Sequence, residues 1–245
     1  LKANGIADQS LPIRAAQVKE AEENWQLLAP VLETCFPELK ASKGRIQSKL
    51  IEAEDLRGAL GYGTSEYGRV FVKADGDLPV AGSIKARGGV YEVFMHAKKM
   101  AEKRGILTPG GDITVLVGEQ ARALFAQHTI AVGSTGNLGL SVGIAARALG
   151  FRAVVHMSSD AKQWKVDRLT RLGVEVVQHK ADYTTAVEHA RIDAEGDPSI
   201  YFVDDERSEM LFFGYSAAAS ELAVQLKEQG VTIDEDHPLL SLIHI

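Results

Sequence analysis

The sequence has little cysteine, no excess of basic residues and no long hydrophobic run, and each absence excludes a class of protein. Its single cysteine, Cys35, rules out an internal disulfide and any metal site built on several cysteines, and it fits a reducing compartment such as the cytoplasm. No uncharged stretch approaches the roughly 18 residues of a membrane span. The first residues lack an initiator Met and the apolar core of a signal peptide. We therefore expect a cytoplasmic protein without a membrane anchor, and an incomplete piece of a longer chain.

The charge balance is acidic, and the composition is that of a globular protein. Lysine and arginine total 27 against 33 aspartate and glutamate residues, which gives a net charge of -6. Nucleic acids attract basic surfaces, so this balance argues against DNA or RNA as a partner. With 45% hydrophobic residues, the 245-residue chain can bury a core, and its length allows one large domain or two small ones.

The N-terminal part of the sequence has the pattern of amphipathic helices. Apolar residues recur at steps of three and four between residues 11 and 39, which predicts a helix that Pro30 and Pro37 interrupt. A second, more polar helical pattern covers residues 46–60. The β-branched and aromatic run at residues 70–73 predicts a short strand.

Between residues 129 and 203 the sequence alternates strand patterns with helix patterns. The predicted strands are 129–132, 152–157, 174–178 and 200–203, and the helices between them are 140–149, 162–172 and 183–195. Such βαβ repetition predicts an α/β fold with a parallel sheet covered on both faces. Ligands bind such sheets at the carboxyl ends of the strands, where Ser134, Asp204 and Asp205 lie.

A glycine loop at residues 133–139 connects the first of these strands to its helix. Its glycines are spaced G-x-x-G-x-x-G, whereas a dinucleotide-binding loop needs G-x-G-x-x-G, and no Gly-Lys-Ser/Thr follows that would make a Walker A loop. Two interpretations stay open. The loop is a helix cap without a ligand, or its backbone N–H groups and the hydroxyls of Ser134 and Thr135 surround a carboxylate or another small anion.

Lys85 is the second candidate for a functional residue. It lies in a glycine-rich segment, residues 82–89, just before a helical pattern at residues 90–101. A lone lysine is usually a solvated surface residue. At a helix start and partly buried, the same side chain becomes nucleophilic near neutral pH and can bind an aldehyde covalently. The spacing alone leaves both interpretations open.

Together these two segments resemble a known enzyme family. Residues 78–89, LPVAGSIKARGG, followed by residues 133–141, GSTGNLGLS, are similar to the fold-type II pyridoxal-phosphate (PLP) enzymes, and among them to the bacterial D-serine dehydratases. The similarity covers nearly the whole chain. It implies that Lys85 binds the cofactor and that Asn137 contacts the cofactor's phenolic oxygen. It also implies a loop that holds the substrate carboxylate, formed by Ser134, Thr135, Gly136 and Asn137.

The resemblance implies a reaction as well. An α,β-elimination on PLP would convert D-serine to pyruvate and ammonia. Thr135 and Asp205 are the catalytic candidates beside Lys85, although the acidic run that contains Asp205 is also typical of a solvated loop. Two alternatives remain at this point: a PLP enzyme of the same fold acting on L-threonine, L-serine or cysteine, and an anion-binding α/β module without enzymatic activity.

The family pattern further implies two α/β domains, with the fold of the tryptophan synthase β subunit. Residues 1–88 and 209–239 would belong to the larger domain, which would be incomplete, and residues 89–208 would form the smaller one. The loop for the cofactor's phosphate, the partner of its pyridine nitrogen and a monovalent-cation site are expected after this sequence. We therefore expect the complete protein to be a monomer, and residues 1–245 to be inactive alone. Residues 240–245, LSLIHI, match one reading frame of a transposon-end adapter used in sequencing libraries and are expected to be non-native.

Overall fold

A computed structural model describes residues 13–62, 68–180 and 183–232, and its helices and strands are numbered in chain order. Within these ranges four strands form a parallel sheet and two form a small antiparallel sheet. We find no helix in the described ranges with the length and apolar character that crossing a membrane requires. The segment 240–245 lies outside the described residues.

The first helix, α1, covers Ala15–Cys35. Pro30 lies inside it, so the predicted interruption at Pro30 is wrong, whereas Pro37 does begin a separate 3₁₀ helix. A proline within a helix removes one backbone hydrogen bond. The neighbouring side chains of Leu28 and Val31 are fully buried, and their burial offsets that loss.

Residues 46–60, predicted to be helical, contain a strand and a short helix instead. The strand β1 covers Leu50–Glu52, and the helix α2 covers Glu54–Ala59. β1 pairs antiparallel with β2, Phe71–Lys73, which confirms the short strand predicted there. The pairing partner is distant in sequence, so the local pattern of residues 46–60 could not reveal it.

The third helix, α3, covers Lys85–Lys103, which confirms the prediction that Lys85 lies near a helix start. A 3₁₀ helix at Ile113–Val117 follows and packs against α1 and α3. The short helix α4, Glu119–Phe125, then leads into the parallel sheet.

The predicted alternation of strands and helices between residues 129 and 203 is confirmed. The strands are β3 Thr129–Gly133, β4 Arg152–Ser158, β5 Glu175–His179 and β6 Ile200–Val203. The helices between them are α5 Asn137–Leu149, α6 Gln163–Arg171 and α7 Tyr183–Gly196. All three strand pairs are parallel, in the order β5-β4-β3-β6.

The strand order decides which face of the sheet each helix covers. From β3 the chain moves to β4 and β5 on one side, and it then returns across the sheet to β6 on the other side. Because crossovers between parallel strands are right-handed, α5 and α6 lie on one face and α7 lies on the other. All five residues of β3 are buried between these layers.

The last described helix, α8, covers Glu209–Glu228 and packs against α3 and α1. Ser208 caps its start by accepting the N–H of Leu211 at 3.1 Å. The helices α3 and α8 approach closely where Gly214 faces the backbone of α3. A Cβ added at Gly214 would lie 2.7 Å from the carbonyl oxygen of Arg87, so only glycine allows this approach.

Candidate active site

The carboxyl edge of the parallel sheet brings two of the sequence-predicted residues together. The ammonium of Lys85, the first residue of α3, lies 3.8 Å from the Oδ1 of Asp205, which follows β6. The two side chains are 35% and 34% exposed. Because each group is still in contact with solvent, a ligand can reach both of them.

The strand register explains how the glycine loop reaches the same place. Val132 of β3 and Val203 of β6 are paired in the sheet. Ser134 and Asp205 each follow two residues later, so they leave adjacent strands at the same level. The helix α5 then begins at Asn137. Ser134, Asp205 and the start of α5 therefore share one edge.

The helix α3 runs antiparallel to β6, which places its first residue at that edge as well. His96, further along α3, stacks on Tyr201 near the start of β6, with ring centroids 3.8 Å apart. Lys85, at the start of α3, contacts Asp205 beyond the end of β6. The N-termini of α3 and α5 therefore converge on one site, and helix N-termini stabilise negatively charged groups.

The loop between β3 and α5 presents hydrogen-bond donors to this site. The N–H groups in the first turn of α5 have no acceptor within the helix, and the cap residue, Gly136, has no side chain to bind them. The Oγ of Ser134 accepts the N–H of Gly136 at 3.2 Å and keeps its own hydrogen to donate. A Cβ added at Gly136 would meet no atom closer than 3.9 Å, so the backbone there is open to a ligand. These features suit a carboxylate.

The other predicted loop residues lie at this edge without bonding to the ion pair. Thr135 and Asn137 are half-buried, and among the described residues neither makes a hydrogen bond to Lys85 or Asp205. The described part of the chain also contains no group of three or more His, Cys, Asp or Glu side chains that could hold a metal ion.

The two adjacent aspartates after β6 have different surroundings. Asp204 accepts a hydrogen bond from the guanidinium of Arg191 at 2.9 Å and another from the N–H of Glu206 at 3.1 Å. Asp205 contacts Lys85 instead. The charge of Asp204 is therefore neutralised within the fold, whereas the carboxylate of Asp205 faces the site.

A strained turn precedes Lys85. Val80 has a φ of 73°, a left-handed conformation that β-branched residues rarely adopt. Its carbonyl accepts a hydrogen bond at 2.8 Å from Arg168 of α6. Closer to the helix, the Ser83 hydroxyl accepts the N–H of Lys85 at 3.3 Å. These two hydrogen bonds, one at Val80 and one at Ser83, thus hold the turn before Lys85 in place.

Sequence reasoning missed Glu92, which connects the elements of the site. The residue is 2% exposed, and its carboxylate accepts hydrogen bonds from the hydroxyls of Tyr201 at 2.9 Å and Ser208 at 2.6 Å. Burial raises the pKa of Glu92, and the two hydroxyl donors oppose that rise. One carboxylate thereby joins α3, β6 and the start of α8. The only sequence signal was an acidic residue two turns after Lys85, on the same helix face.

Comparisons with known proteins identify the family and the fold. The model of the family described as pyridoxal-phosphate dependent enzyme matches residues 42–234, more than half of the chain. The chain is 65% identical over 234 residues to a Rhizobium etli protein named probable D-serine dehydratase, and 50% identical over 250 residues to a Pseudomonas putida protein of the same name. Both matches cover 96% of this chain, and they cover 52% and 54% of the two relatives. The chain therefore spans about half the length of the curated relatives it matches.

A solved structure has the same fold. Diaminopropionate ammonia lyase from Escherichia coli, crystallised in its apo form, matches with a TM-score of 0.64 at 24% sequence identity, over 89% of this chain and 54% of that chain. This likeness confirms the predicted fold class, the α/β fold of the fold-type II enzymes. The sequence motifs, the family match and the fold agree with one another. The chain therefore belongs to the family of pyridoxal-phosphate dependent enzymes.

Proposed function

We propose that the protein carrying this chain is a PLP-dependent ammonia-lyase that converts D-serine to pyruvate and ammonia. The observation that carries the proposal is the 3.8 Å contact between the Lys85 amine and the Asp205 carboxylate, beside the loop at residues 134–137. The family match supports the cofactor, and the names of the relatives at 65% and 50% identity support the substrate.

The residues at this edge suit PLP. Lys85 offers a partly exposed amine at a helix start, the kind of group that binds the aldehyde of PLP covalently. Gly136 leaves open space beside the loop, and Asn137 is the proposed partner of the cofactor's phenolic oxygen. When bound, PLP withdraws electrons from the Cα of an amino acid, which eases loss of the Cα proton and of the β-substituent.

Lys85 and Asp205 both act on the proton that leaves the substrate Cα. The Nζ of Lys85 takes the proton from the substrate Cα, and Asp205 then stabilises the ammonium that results. Asp204 is paired with Arg191 and is not available for this role. The leaving hydroxyl of the substrate takes up a proton and departs as water. The Lys85 ammonium holds the proton that came from Cα, and Thr135 and Asp205 are the candidates at this edge to pass it to the hydroxyl.

The loop at residues 134–137 binds and orients the substrate carboxylate. Uncapped N–H groups of α5 and the hydroxyl of Ser134 donate to it, and the positive end of the helix dipole favours its charge. A carboxylate bound there would leave the rest of the amino acid facing Lys85 and Asp205 across the sheet edge.

We also propose that the protein acts as a cytoplasmic monomer, with residues 1–88 and 209–239 in a larger domain and residues 89–208 in a smaller one. The single cysteine supports a reducing compartment, and the family resemblance supports the monomer and the domain division. Sedimentation equilibrium of the purified protein tests the oligomeric state, since a dimer would have twice the expected mass.

The direct test is turnover by the purified complete protein that carries this chain, after incubation with PLP. We expect a visible absorbance band that borohydride treatment removes, with the cofactor then found on Lys85 by mass spectrometry. Pyruvate should be released from D-serine but not from L-serine, and L-threonine should yield no 2-oxobutyrate. Failure to attach PLP would favour an anion-binding module, and release of a keto acid from L-threonine alone would overturn the proposed substrate.

The two aspartates after β6 provide a matched pair of variants. Asp205→Asn should lower kcat by about 100-fold or more, the range for loss of a group that assists proton transfer, with little change in stability. Asp204→Asn removes the charge that pairs with Arg191, so it should lower stability while retaining most of kcat. Similar effects of both substitutions on kcat would show that Asp205 has no special role.

A further inference from the structure

Tyr215, on α8, lies against the Lys85 side chain. The Nζ of Lys85 is 5.0 Å from the centre of the Tyr215 ring and 3.8 Å from the Oδ1 of Asp205. A cation within about 6 Å of an aromatic ring centre is attracted by the negative face of the ring. The ammonium therefore has two partners from different segments, an aromatic ring and a carboxylate.

The absence of a side chain at Gly88 allows the ring to lie there. Gly88 is three residues after Lys85 and shares its face of α3. A Cβ at Gly88 would lie 2.3 Å from the Cζ and 2.7 Å from the Oη of Tyr215. Any other residue at this position would displace the ring. The neighbouring Gly214 allows the close approach of α3 and α8 that brings the ring to Lys85.

Among the described residues, no hydrogen bond of the Tyr215 hydroxyl explains why this side chain lies beside Lys85. Its oxygen is buried and has no hydrogen-bond partner among the described residues. Burial, with the negative charges of Asp205 and Glu92, raises the pKa of Tyr215, so the phenol stays neutral. A buried hydroxyl without a partner costs stability. The contact that Tyr215 makes with Lys85 is made by its ring.

We propose that the Tyr215 ring and the Asp205 carboxylate form a resting seat for the Lys85 ammonium, with Tyr215 as a positioning residue. The proposal rests on the proposed function of Lys85, since the seat positions the amine of that lysine. In the structure the Lys85 side chain contacts both groups. The seat also receives the ammonium that forms when Lys85 takes the substrate proton, and it keeps that group near the substrate for the next step.

The seat holds the Lys85 side chain against the Tyr215 ring, and this effect is measurable without turnover. Lys85 must leave the ring to react with a reagent in solution, so a cation–π contact slows that reaction by about 2- to 30-fold. Tyr215→Leu should therefore raise the rate of Lys85 acetylation by about 2- to 30-fold. Tyr215→Phe keeps the ring and should leave this rate unchanged. The acidic groups around the site are the same in both variants: Asp204, Asp205 and Glu92.

The experiment is trace labelling of the complete protein, freed of PLP, with acetic anhydride at one fixed pH, read at each lysine by mass spectrometry. Lys165 lies 5.5 Å from the ring of Trp164 and serves as an internal control whose acetylation rate should stay constant. Gly88→Ala removes the seat by a second route, because the added Cβ displaces the Tyr215 ring, and it should raise the Lys85 rate as Tyr215→Leu does. Tyr215→Phe should also raise Tm by about 2–4 °C, since it removes an unpaired hydroxyl.

An unchanged Lys85 acetylation rate in Tyr215→Leu, or an equal rise in Tyr215→Phe, would overturn the seat. An equal rise at Lys165 would indicate a general change in structure and would overturn it as well. If Tyr215→Leu does not fold, Gly88→Ala decides between the same outcomes. A wild-type protein that releases no pyruvate from D-serine would overturn the proposed function, while the labelling result would still decide the seat.

Discussion

Glu221 joins the helix that carries Lys85 to the small antiparallel sheet, and its removal tests how that helix is anchored. The Oε1 of Glu221 accepts hydrogen bonds from the Arg87 guanidinium at 2.9 Å and from the N–H of Ser48 at 3.0 Å, and it pairs with the ammonium of Lys73 on β2. The side chains of Arg87 and Lys73 are only 3% and 6% exposed. One carboxylate is thus the shared partner of two buried cations, and one of them, Arg87, is two residues after Lys85.

Glu221→Ala would leave both cations without their shared partner. Arg87 would keep its bond to the carbonyl of Ile46, and Lys73 would keep its bonds to Ser48. Breaking a buried ion pair by removing one partner costs about 3–5 kcal/mol. For a chain of this size, each kcal/mol lowers Tm by about 2–4 °C, so we expect a fall of about 6–20 °C. Glu221→Gln keeps an acceptor oxygen and should lose less.

Urea unfolding followed by circular dichroism measures the free energy of unfolding, and a thermal scan gives Tm. Adding Lys73→Met to Glu221→Ala removes one of the unpaired charges and should recover part of the loss. The reasoning would be refuted if Glu221→Ala lost less than about 1 kcal/mol, well below the range for a broken buried pair. It would also fail if Lys73→Met brought no recovery.

Three further outcomes are expected. Lys85→Ala should abolish pyruvate release from D-serine because no other amine replaces it, and retention of more than about a tenth of the activity would exclude its role. Ser134→Ala should weaken D-serine binding by about 1–3 kcal/mol, measured as a raised KM, whereas Asn137→Ala should alter the absorbance of bound PLP, and an unchanged spectrum and kinetics would argue against that role. Burial against Tyr201 lowers the pKa of His96 from 6.5 to about 4, so its contribution to stability is complete above pH 6.5 and is lost as the pH falls toward 4. The loss should reach about 3 kcal/mol in urea unfolding, and His96→Phe should flatten the curve over that range.

Local patterns account for what could be predicted of the fold. The strands and helices between residues 129 and 203 follow from side-chain periodicity, which depends only on near neighbours in sequence. The same reasoning failed where contacts between residues distant in sequence determine the secondary structure. Residues 46–60 contain a strand because they pair with β2, and Pro30 stays inside α1 because the helix buries one face in the core.

The sequence by itself determined the family, through the two motifs around Lys85 and residues 134–137, and it located candidate residues at the carboxyl ends of the strands. Only the tertiary structure shows that Asp205, the candidate from the sequence, contacts Lys85 while Asp204 pairs with Arg191, because these contacts depend on where distant residues lie. The strand register and the antiparallel course of α3 and β6 set this contact.

The roles of Tyr215, Glu92 and Glu221 likewise emerge only from the tertiary structure. Each of them contacts residues of other helices or strands, and a local sequence pattern does not show which elements pack together. Sequence motifs mark groups that react, because the chemistry demands particular residue types at fixed spacing. The residues that hold these reactive groups in position do so through packing contacts, and packing contacts exist only in the folded chain.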